Sequence, residues 1–164
     1  MSIRPALALA ACLTGCGQRT PETPAPEATS SSGAMVTLER GPCFGTCPVY
    51  RVSLEGDGRV GFTGTRFVTP VGADTSRVAP EQVGRLADSL DTAGFFALAD
   101  EYVLNSPACG RYATDAPTVT ISVRSGERSK TVRHDHGCAD APEALTGMER
   151  LIDSVAGTSR WTGR

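Results

Sequence analysis

Two cysteines four positions apart, Cys43 and Cys47 in the segment GPCFGTCPVYRV, are the residues whose types and spacing most suggest chemistry. The thiolates of such a pair can bind a soft metal ion, exchange electrons as a dithiol, or close into a disulfide. His134 and His136 are two positions apart, so a strand would direct both imidazoles to one side, with Cys138 close behind. Thiolates and imidazoles together suit copper(I) or zinc. Cys43, Cys47, His134 and His136 therefore form a candidate metal or redox site.

The order of elements around the cysteine pair favours a disulfide instead. CFGTCP resembles the CxxxCP of Sco-type copper-handling proteins, which implies metal binding through both thiolates and a distant histidine. In those proteins the motif begins a helix of a thioredoxin fold, whereas here the strand-like VYRVSL follows the pair. We predict a structural disulfide and no metal at Cys43 and Cys47, and a solvated strand end for His134 and His136. Copper, zinc or thiol-redox handling by these cysteines and a histidine is the alternative hypothesis.

The amino terminus indicates export, which decides the redox state of the cysteines. Arg4 precedes the apolar run PALALAACL, and LTGC ends at Cys16. The run is too short to span a bilayer, which takes about 20 apolar residues, and it has the form of a secretory signal. LTGC resembles the lipobox of bacterial lipoproteins, which implies a signal peptide at residues 1–15 and lipidation of Cys16. Gly17 after the lipid site implies, by analogy with enteric bacteria, sorting to an outer membrane.

Residues 16–34 are predicted to be the lipidated cysteine and a disordered tether, because Pro, Thr, Ser, Ala, Glu and Gly supply almost no apolar surface to bury. Residues 35–162 suffice for one domain.

The formal net charge of the 164 residues is −2, with both signs dispersed. A nucleic-acid partner is not expected, since it requires clustered Lys and Arg. The expected partner is the membrane, through the lipid anchor, with the domain in the periplasm or at the cell surface.

Alternation of apolar and polar residues predicts two groups of strands, each followed by a helix. The first group comprises VTLER, VYRVSL and the return through Val60 and Phe62, then residues 65–79, where Pro70 restricts pairing to an edge or bulge. The second is a hairpin at residues 118–134. We predict an α+β fold in which one antiparallel sheet, built from two hairpin groups, carries two helices on one face.

The two helices are predicted in APEQVGRLADSLDTAGFF, where Gly94 can end the helix, and in DAPEALTGMERLIDSVAG, where Gly157 can do so. Apolar residues at the helical period define the face that each helix should bury. The predicted stripes are Val83, Leu86, Ala87 and Leu90 in the first helix, and Leu145, Met148, Leu151, Ile152 and Val155 in the second.

Three segments carry a family resemblance: ERGPCFGTCPVYRVSLEGDGRV, PEQVGRLADSLDTAGFFAL and TDAPTVTISV. With a closing helix and Trp161, they resemble a bacterial domain-of-unknown-function family, the one numbered 6438. The resemblance spans Met35 to Trp161, and CxGxCPxY is its most specific part. It implies a domain of this size and order of elements, often found in secreted or lipoprotein chains. It implies no activity and no role for Cys109 or Cys138.

Four cysteines belong to the predicted mature domain: Cys43, Cys47, Cys109 and Cys138. An even number in an oxidising compartment favours disulfides, and four cysteines allow three connectivities. We favour Cys43–Cys47 and Cys109–Cys138. In this pairing the second bond closes the longer loop and contributes more stability.

The sequence contains no GxSxG, no HExxH and no Gly-rich phosphate loop, so no enzymatic activity and no cofactor other than the covalent lipid are predicted. Arg111, Tyr112 and Asp115 lie in a long loop and are candidates for the rim of a binding surface. The sequence thus predicts a cell-envelope lipoprotein with a binding or structural role. Its candidate partners are another envelope protein or a small ligand.

Overall fold

A computed structural model describes Met1 and residues 33–163 of the chain. In this part of the chain seven strands form one sheet: β1 (Met35–Arg40), β2 (Val49–Glu55), β3 (Arg59–Arg66), β4 (Gly72–Arg77), β5 (Glu101–Tyr102), β6 (Thr118–Ser125) and β7 (Arg128–Asp135). The predicted signal peptide (1–15) and tether (16–34), with the lipidation site Cys16, fall almost wholly outside the described residues.

The strands lie in the order β4-β3-β2-β1-β6-β7-β5. β1 is central and pairs antiparallel with both β2 and β6, so that Leu38 lies opposite Val52 on one side and Ile121 on the other. The meander β2, β3, β4 and the hairpin β6, β7 are also antiparallel, whereas the two-residue β5 runs parallel to β7. The predicted α+β class with an antiparallel sheet from two strand groups is thus confirmed, with β5 as an unpredicted edge strand.

Helices α1 (Pro80–Thr92) and α2 (Glu143–Ala156) follow the two strand groups. α1 begins at Pro80, whose fixed φ suits the first turn, and Gln82 accepts a hydrogen bond from the Ala79 backbone N–H at 3.0 Å. α2 ends before Gly157, whose φ of 66° lies in the left-handed region that glycine adopts without a Cβ penalty. Both helices therefore occupy the segments that the sequence predicts.

The core lies between one face of the sheet and the facing sides of α1 and α2. The predicted stripe of α1 is buried throughout. Alternate strand side chains meet it, each at most 2% exposed: Val36, Leu38, Val52, Leu54, Val60, Phe62, Val119, Ile121, Val123 and Val132. Burying each such side chain contributes roughly 1.5–3 kcal/mol, so this face supplies the main driving force for folding.

The buried face of α2 differs from the prediction. Leu145, Met148 and Ile152 are buried as expected, but Leu151 is 38% exposed and Glu149 is only 1% exposed. A helix turns by about 100° per residue, so residue 151 lies roughly 200° from residue 149 and cannot share its face. The face that is buried therefore includes a carboxylate in place of Leu151.

A short helix α3 (Ser159–Thr162), which the sequence analysis does not predict, packs against β3 and β4 at one side of the sheet. Its Trp161 ring stacks on Phe62 with centroids 4.2 Å apart, and Trp161 Nε1 donates to Asp74 Oδ2 of β4 at 2.7 Å. β4 is an edge strand that follows Pro70, in agreement with the predicted restriction to an edge. None of the helices described between residues 33 and 163 is long and apolar enough to cross a lipid bilayer.

Candidate functional site

Two histidines at the end of β7 lie on the side of the sheet that faces α2. His134 is 4% exposed and pairs with Val119 of β6, while His136 follows the last residue of the strand and its backbone N–H donates to Pro117 O at 3.0 Å. Because strand residues two apart share a face, the two rings stack, with centroids 4.3 Å apart. The prediction of a solvated strand end is wrong for His134, since α2 covers this part of the sheet.

Glu149 of α2 binds both histidines. Its Oε1 accepts from His134 Nδ1 at 2.7 Å, and its Oε2 accepts from His136 Nε2 at 2.8 Å. Burial alone raises the pKa of the Glu149 carboxyl, but the hydrogen bonds from His134 and His136 outweigh burial and lower this pKa to about 2. Glu149 is therefore an ionised carboxylate at neutral pH in the interior of the domain.

Arg40, the last residue of β1, connects this cluster to a second carboxylate on α2. Its Nε and Nη2 donate to Asp153 Oδ2 at 2.9 and 2.6 Å, and its Nη1 lies 3.6 Å from Glu149 Oε2. Asp153 is four residues after Glu149, so both acids project from the same side of the helix. The shorter contacts pair the guanidinium with Asp153 rather than with Glu149.

The Asp153 carboxylate is also held by two hydroxyl groups. Tyr50 Oη donates to Asp153 Oδ1 at 2.5 Å, and Thr158 Oγ1 donates to the same oxygen at 3.0 Å. Burial, together with the negative charge of Asp153, raises the pKa of the Tyr50 phenol, so this group stays protonated. Arg40, Tyr50, Asp153 and Thr158 thus form a connected network with fixed donor and acceptor positions.

This network borders a cavity of about 310 Å³. The volume lies near the lower end of the range of about 300–1,000 Å³ that is typical of small-molecule sites. The lining combines charged groups and hydroxyls with proline rings and a disulfide-bonded cysteine. Its lining residues are Arg40, Gly41, Cys47, Pro48, Tyr50, Pro117, Asp153, Thr158 and Thr162.

Two disulfides join the four cysteines of the described domain. Cys43 is bonded to Cys47, beside the cavity, and Cys109 is bonded to Cys138, with both of these cysteines buried. The pairing is the one that the sequence analysis favours. In this state Cys43 and Cys47 offer no thiolate to a metal ion, and the imidazoles of His134 and His136 contact Glu149 instead.

The predicted binding loop lies next to the two disulfides. Tyr112 forms an isolated bridge with Cys138, and its Oη donates to Asp135 Oδ2 at 2.9 Å. The Asp115 carbonyl accepts from Phe44 N–H at 3.1 Å, which connects this loop to the Cys43–Cys47 turn. The backbone carbonyl of Arg111 accepts from Ala139 N–H at 2.9 Å, and the Arg111 side chain is exposed. None of these three residues lines the cavity described above.

Sequence reasoning identified the two histidines but not the residues that join them to the cavity. Arg40 is the last residue of the predicted strand VTLER, and Tyr50 lies in the predicted strand VYRVSL. Glu149 and Asp153 lie within the second predicted amphipathic helix. One signal was available: Glu149 follows Leu145 at the helical period, so it falls on the apolar face. A charged residue in such a stripe indicates a buried partner.

The fold and the site define a class of protein: a single α+β domain with two disulfides and with a partly buried charged network between its sheet and its last long helix. A family model described as "Domain of unknown function (DUF6438)" matches residues 34–156, and the chain belongs to this family. No curated protein matches the chain.

Proposed function

We propose that the protein is a cell-envelope lipoprotein that binds a small polar ligand in the cavity beside Arg40 and Asp153. The proposed anchoring rests on the amino-terminal sequence LTGC, which resembles a lipobox in which Cys16 carries the lipid. Two disulfides support an oxidising compartment, because disulfides are rare in reducing ones. The lipid anchor and the tether would hold the domain close to a membrane, and Gly17 after the lipid site supports the outer membrane by analogy with enteric bacteria.

The observation that carries the binding role is the cavity, whose polar groups are fixed before any ligand arrives. Arg40 and Asp153 hold each other at 2.6 Å, and Tyr50 and Thr158 are bonded to the same carboxylate. Groups that are already ordered lose little side-chain entropy on binding, which favours affinity. A closed hydrogen-bonded network beside a cavity is therefore suited to recognition of a small molecule.

The charge of the lining suggests the chemistry of the ligand. The guanidinium of Arg40 is paired with Asp153, so the cavity presents one cation and one anion rather than an excess of either. Such a lining suits a ligand that carries both a donor and an acceptor, or both charges, more than a strongly anionic one. We propose a zwitterionic or neutral polar ligand, of the size of a free amino acid.

A binding role fits the side chains better than a catalytic one. The phenol of Tyr50 stays protonated because burial and Asp153 raise its pKa, and its hydroxyl is already committed to Asp153. A general base must be free to accept a proton at the working pH. Neither Tyr50 nor Thr158 meets that requirement, so we assign them to positioning and recognition.

The test compares two substitutions in the same short helix. Thr162 lines the cavity, whereas Ser159 is exposed and does not line it. The full chain, Thr162→Phe and Ser159→Phe would each be screened with free amino acids and neutral sugars by thermal unfolding and by NMR. A ligand at about 100 times its Kd adds about 2.7 kcal/mol to the stability of the state that binds it.

We expect at least one compound to raise the Tm of the wild-type chain and of Ser159→Phe but not of Thr162→Phe, because phenylalanine fills the cavity. The cavity proposal is overturned if no compound of the panel binds, or if Thr162→Phe binds as well as Ser159→Phe does. Dispersed NMR spectra must first show that Thr162→Phe is folded, so that a loss of ligand binding relative to Ser159→Phe reflects the filled cavity.

A further inference from the structure

Three side chains that the cavity proposal does not use converge between β7 and α2. One possible ligand atom from each of His134, His136 and Glu149 lies within 4.8 Å of the other two. We propose that His134, His136 and Glu149 form a binding site for a divalent first-row transition-metal ion, with zinc as the expected ion. This inference goes beyond the proposed function, because it concerns a different set of residues and a different ligand.

The distances suit a metal ion with little rearrangement. The carboxylate oxygens lie 2.7 and 2.8 Å from the two imidazole nitrogens. Zinc binds nitrogen and oxygen at about 2.0–2.2 Å, so two ligand atoms of a tetrahedral site lie about 3.3 Å apart. If each nitrogen–oxygen distance increased by about half an ångström through rotation of the side chains, the ion would therefore fit. The proton that each ring nitrogen donates to Glu149 would move to the other nitrogen of the same ring or be released to solvent, because zinc binds neutral imidazole through an unprotonated nitrogen.

The positions of the three residues in the fold should keep the geometry of the metal site fixed. His134 lies in β7, His136 follows the last residue of that strand with its ring stacked on His134, and Glu149 faces them from the buried side of α2. One ligand is therefore fixed by the sheet, one by the end of the same strand, whose backbone N–H bonds Pro117 O, and the third by a helix packed against them. Ligands on packed elements hold their geometry better than ligands on loops.

The donor set determines which ions fit. Two imidazole nitrogens and one carboxylate suit zinc and its neighbours in the first transition row, whereas copper(I) prefers thiolates. The sulfurs of Cys43 and Cys47 are bonded to each other, which leaves a nitrogen and oxygen site. Three protein ligands leave a fourth position, and the 26% exposure of the His136 side chain gives an ion access from solvent.

The surrounding charges favour a cation at this point. Glu149 is 1% exposed, and burial of a carboxylate without a cation is costly. The nearest guanidinium nitrogen of Arg40 is 3.6 Å away, while the contacts of Arg40 with Asp153 are shorter. Asp153 therefore offsets the charge of Arg40, which limits its repulsion of a bound ion, and Glu149 retains its charge for the metal.

The test uses the full chain with its disulfides oxidised, alkylated without reductant so that every free thiol is blocked. Zinc or cobalt(II) would be titrated into metal-free protein by calorimetry, and the zinc-loaded protein would be examined by X-ray absorption. We expect one ion per chain and nitrogen or oxygen neighbours at about 2.0–2.1 Å, without the sulfur neighbour at about 2.3 Å that a cysteine ligand would give.

His136→Ala is the preferred variant, because this histidine is the most exposed of the three and its loss is least harmful to folding. We expect it to weaken zinc binding by more than about 100-fold, since loss of second-shell partners alone costs up to about that factor. The matched control is Asp135→Asn. Asp135 lies between the two histidines in the sequence, but its carboxylate accepts hydrogen bonds from Tyr112 and Gly137 rather than from the residues of the metal site. Its affinity should match that of the wild type.

Three results would overturn the metal site. They are failure of zinc and cobalt(II) to bind, sulfur in the zinc coordination shell, and equal binding by His136→Ala and Asp135→Asn. Any of them would leave the three residues as a hydrogen-bonded cluster only. Since the Thr162→Phe experiment reports on the cavity through other residues, either proposal can fail without the other.

Discussion

The carboxylate of Glu149 and the imidazole of His134 meet at 2.7 Å inside the interface between α2 and the sheet. The other carboxylate oxygen lies 2.8 Å from His136 and 3.6 Å from Arg40 Nη1. An ionised carboxylate in a protein interior requires such partners. The contact between α2 and β7 is therefore polar at this point, although the helix packs mainly through apolar side chains.

Removal of the Glu149 carboxylate should destabilise the domain. In Glu149→Ala the two imidazoles lose their acceptor, Arg40 loses a neighbouring anion, and a cavity remains in the interface. We expect the free energy of unfolding to fall by about 2–4 kcal/mol. Urea denaturation in the presence of a chelator measures this change without a contribution from bound metal.

Arg150→Ala is the control for this substitution, because Arg150 is the next residue of α2 and is exposed. Its replacement should change the free energy of unfolding by less than about 0.5 kcal/mol. Equal stability of the two variants would contradict a stabilising role for the Glu149 cluster.

The two disulfides should contribute unequally to stability. The Cys109–Cys138 bond spans 29 positions and the Cys43–Cys47 bond spans 4. In the chain-entropy model the long loop contributes about 3.6 kcal/mol and the short loop about 2 kcal/mol. We expect the Cys109→Ala, Cys138→Ala double variant to unfold at a lower urea concentration than the Cys43→Ala, Cys47→Ala double variant. The reverse order would show that the turn at Cys43 is more important to the fold than its loop length indicates.

Acid should weaken the attachment of α3 through Asp74. Its carboxylate accepts from Trp161 Nε1 at 2.7 Å and from Thr75 N–H at 2.8 Å, which lowers the pKa of Asp74, and Arg160 adds a smaller effect in the same direction. Since the folded pKa is below the unfolded one, this stabilisation is complete above the unfolded value. It is lost as the pH falls through the folded pKa.

We therefore expect the urea midpoint of the wild type to fall below about pH 4, and that of Asp74→Asn to fall less steeply. Other carboxyls with lowered pKa values, such as Glu149 and Asp91, titrate in both proteins, so the difference between the two curves isolates Asp74. Parallel curves from about pH 5 to about pH 2 would exclude this role for Asp74.

Anchoring should depend on one cysteine of the amino terminus. If Cys16 carries the lipid, Cys16→Ser removes the attachment site, and the chain should leave the membrane fraction. Cell fractionation and intact mass of the purified chain check this. The control is Cys12→Ser, which changes the predicted signal peptide only and should keep the protein in the membrane fraction. Retention of Cys16→Ser in that fraction, with an unchanged mass, would reject the lipobox interpretation.

The local pattern of the sequence was sufficient for most of the elements. Alternation of Val119, Ile121 and Val123 predicts a half-buried strand, and the period of Val83, Leu86 and Leu90 predicts a helix, because both depend on neighbours along the chain. The error at Leu151 has another cause. An apolar side chain at the margin of a stripe is placed by the rotation of the helix on the sheet, which its own sequence does not specify.

The candidate site was harder to predict, because its members come from distant parts of the chain. The spacing of His134 and His136 predicted that they share a face, and this is so. Nothing in their neighbourhood indicated Glu149 as their partner, or Arg40 as the connection to Asp153. These contacts span 13 to 15 positions for the histidines and 113 for Arg40 and Asp153. They depend on the docking of α2.

The sequence by itself determined the order of the longer strands and of the two long helices, the class of the fold and the cysteines available for pairing, since periodicity and composition are local properties. The tertiary structure decided which charges were buried together. Docking of α2 against β1 and β7 brings Glu149 to the histidines and Asp153 to Arg40, and it places Asp153 in the lining of the cavity. The physical reason is that a buried carboxylate is stable only where donors from other elements reach it. Those donors and the carboxylate come within hydrogen-bond distance only in the folded chain.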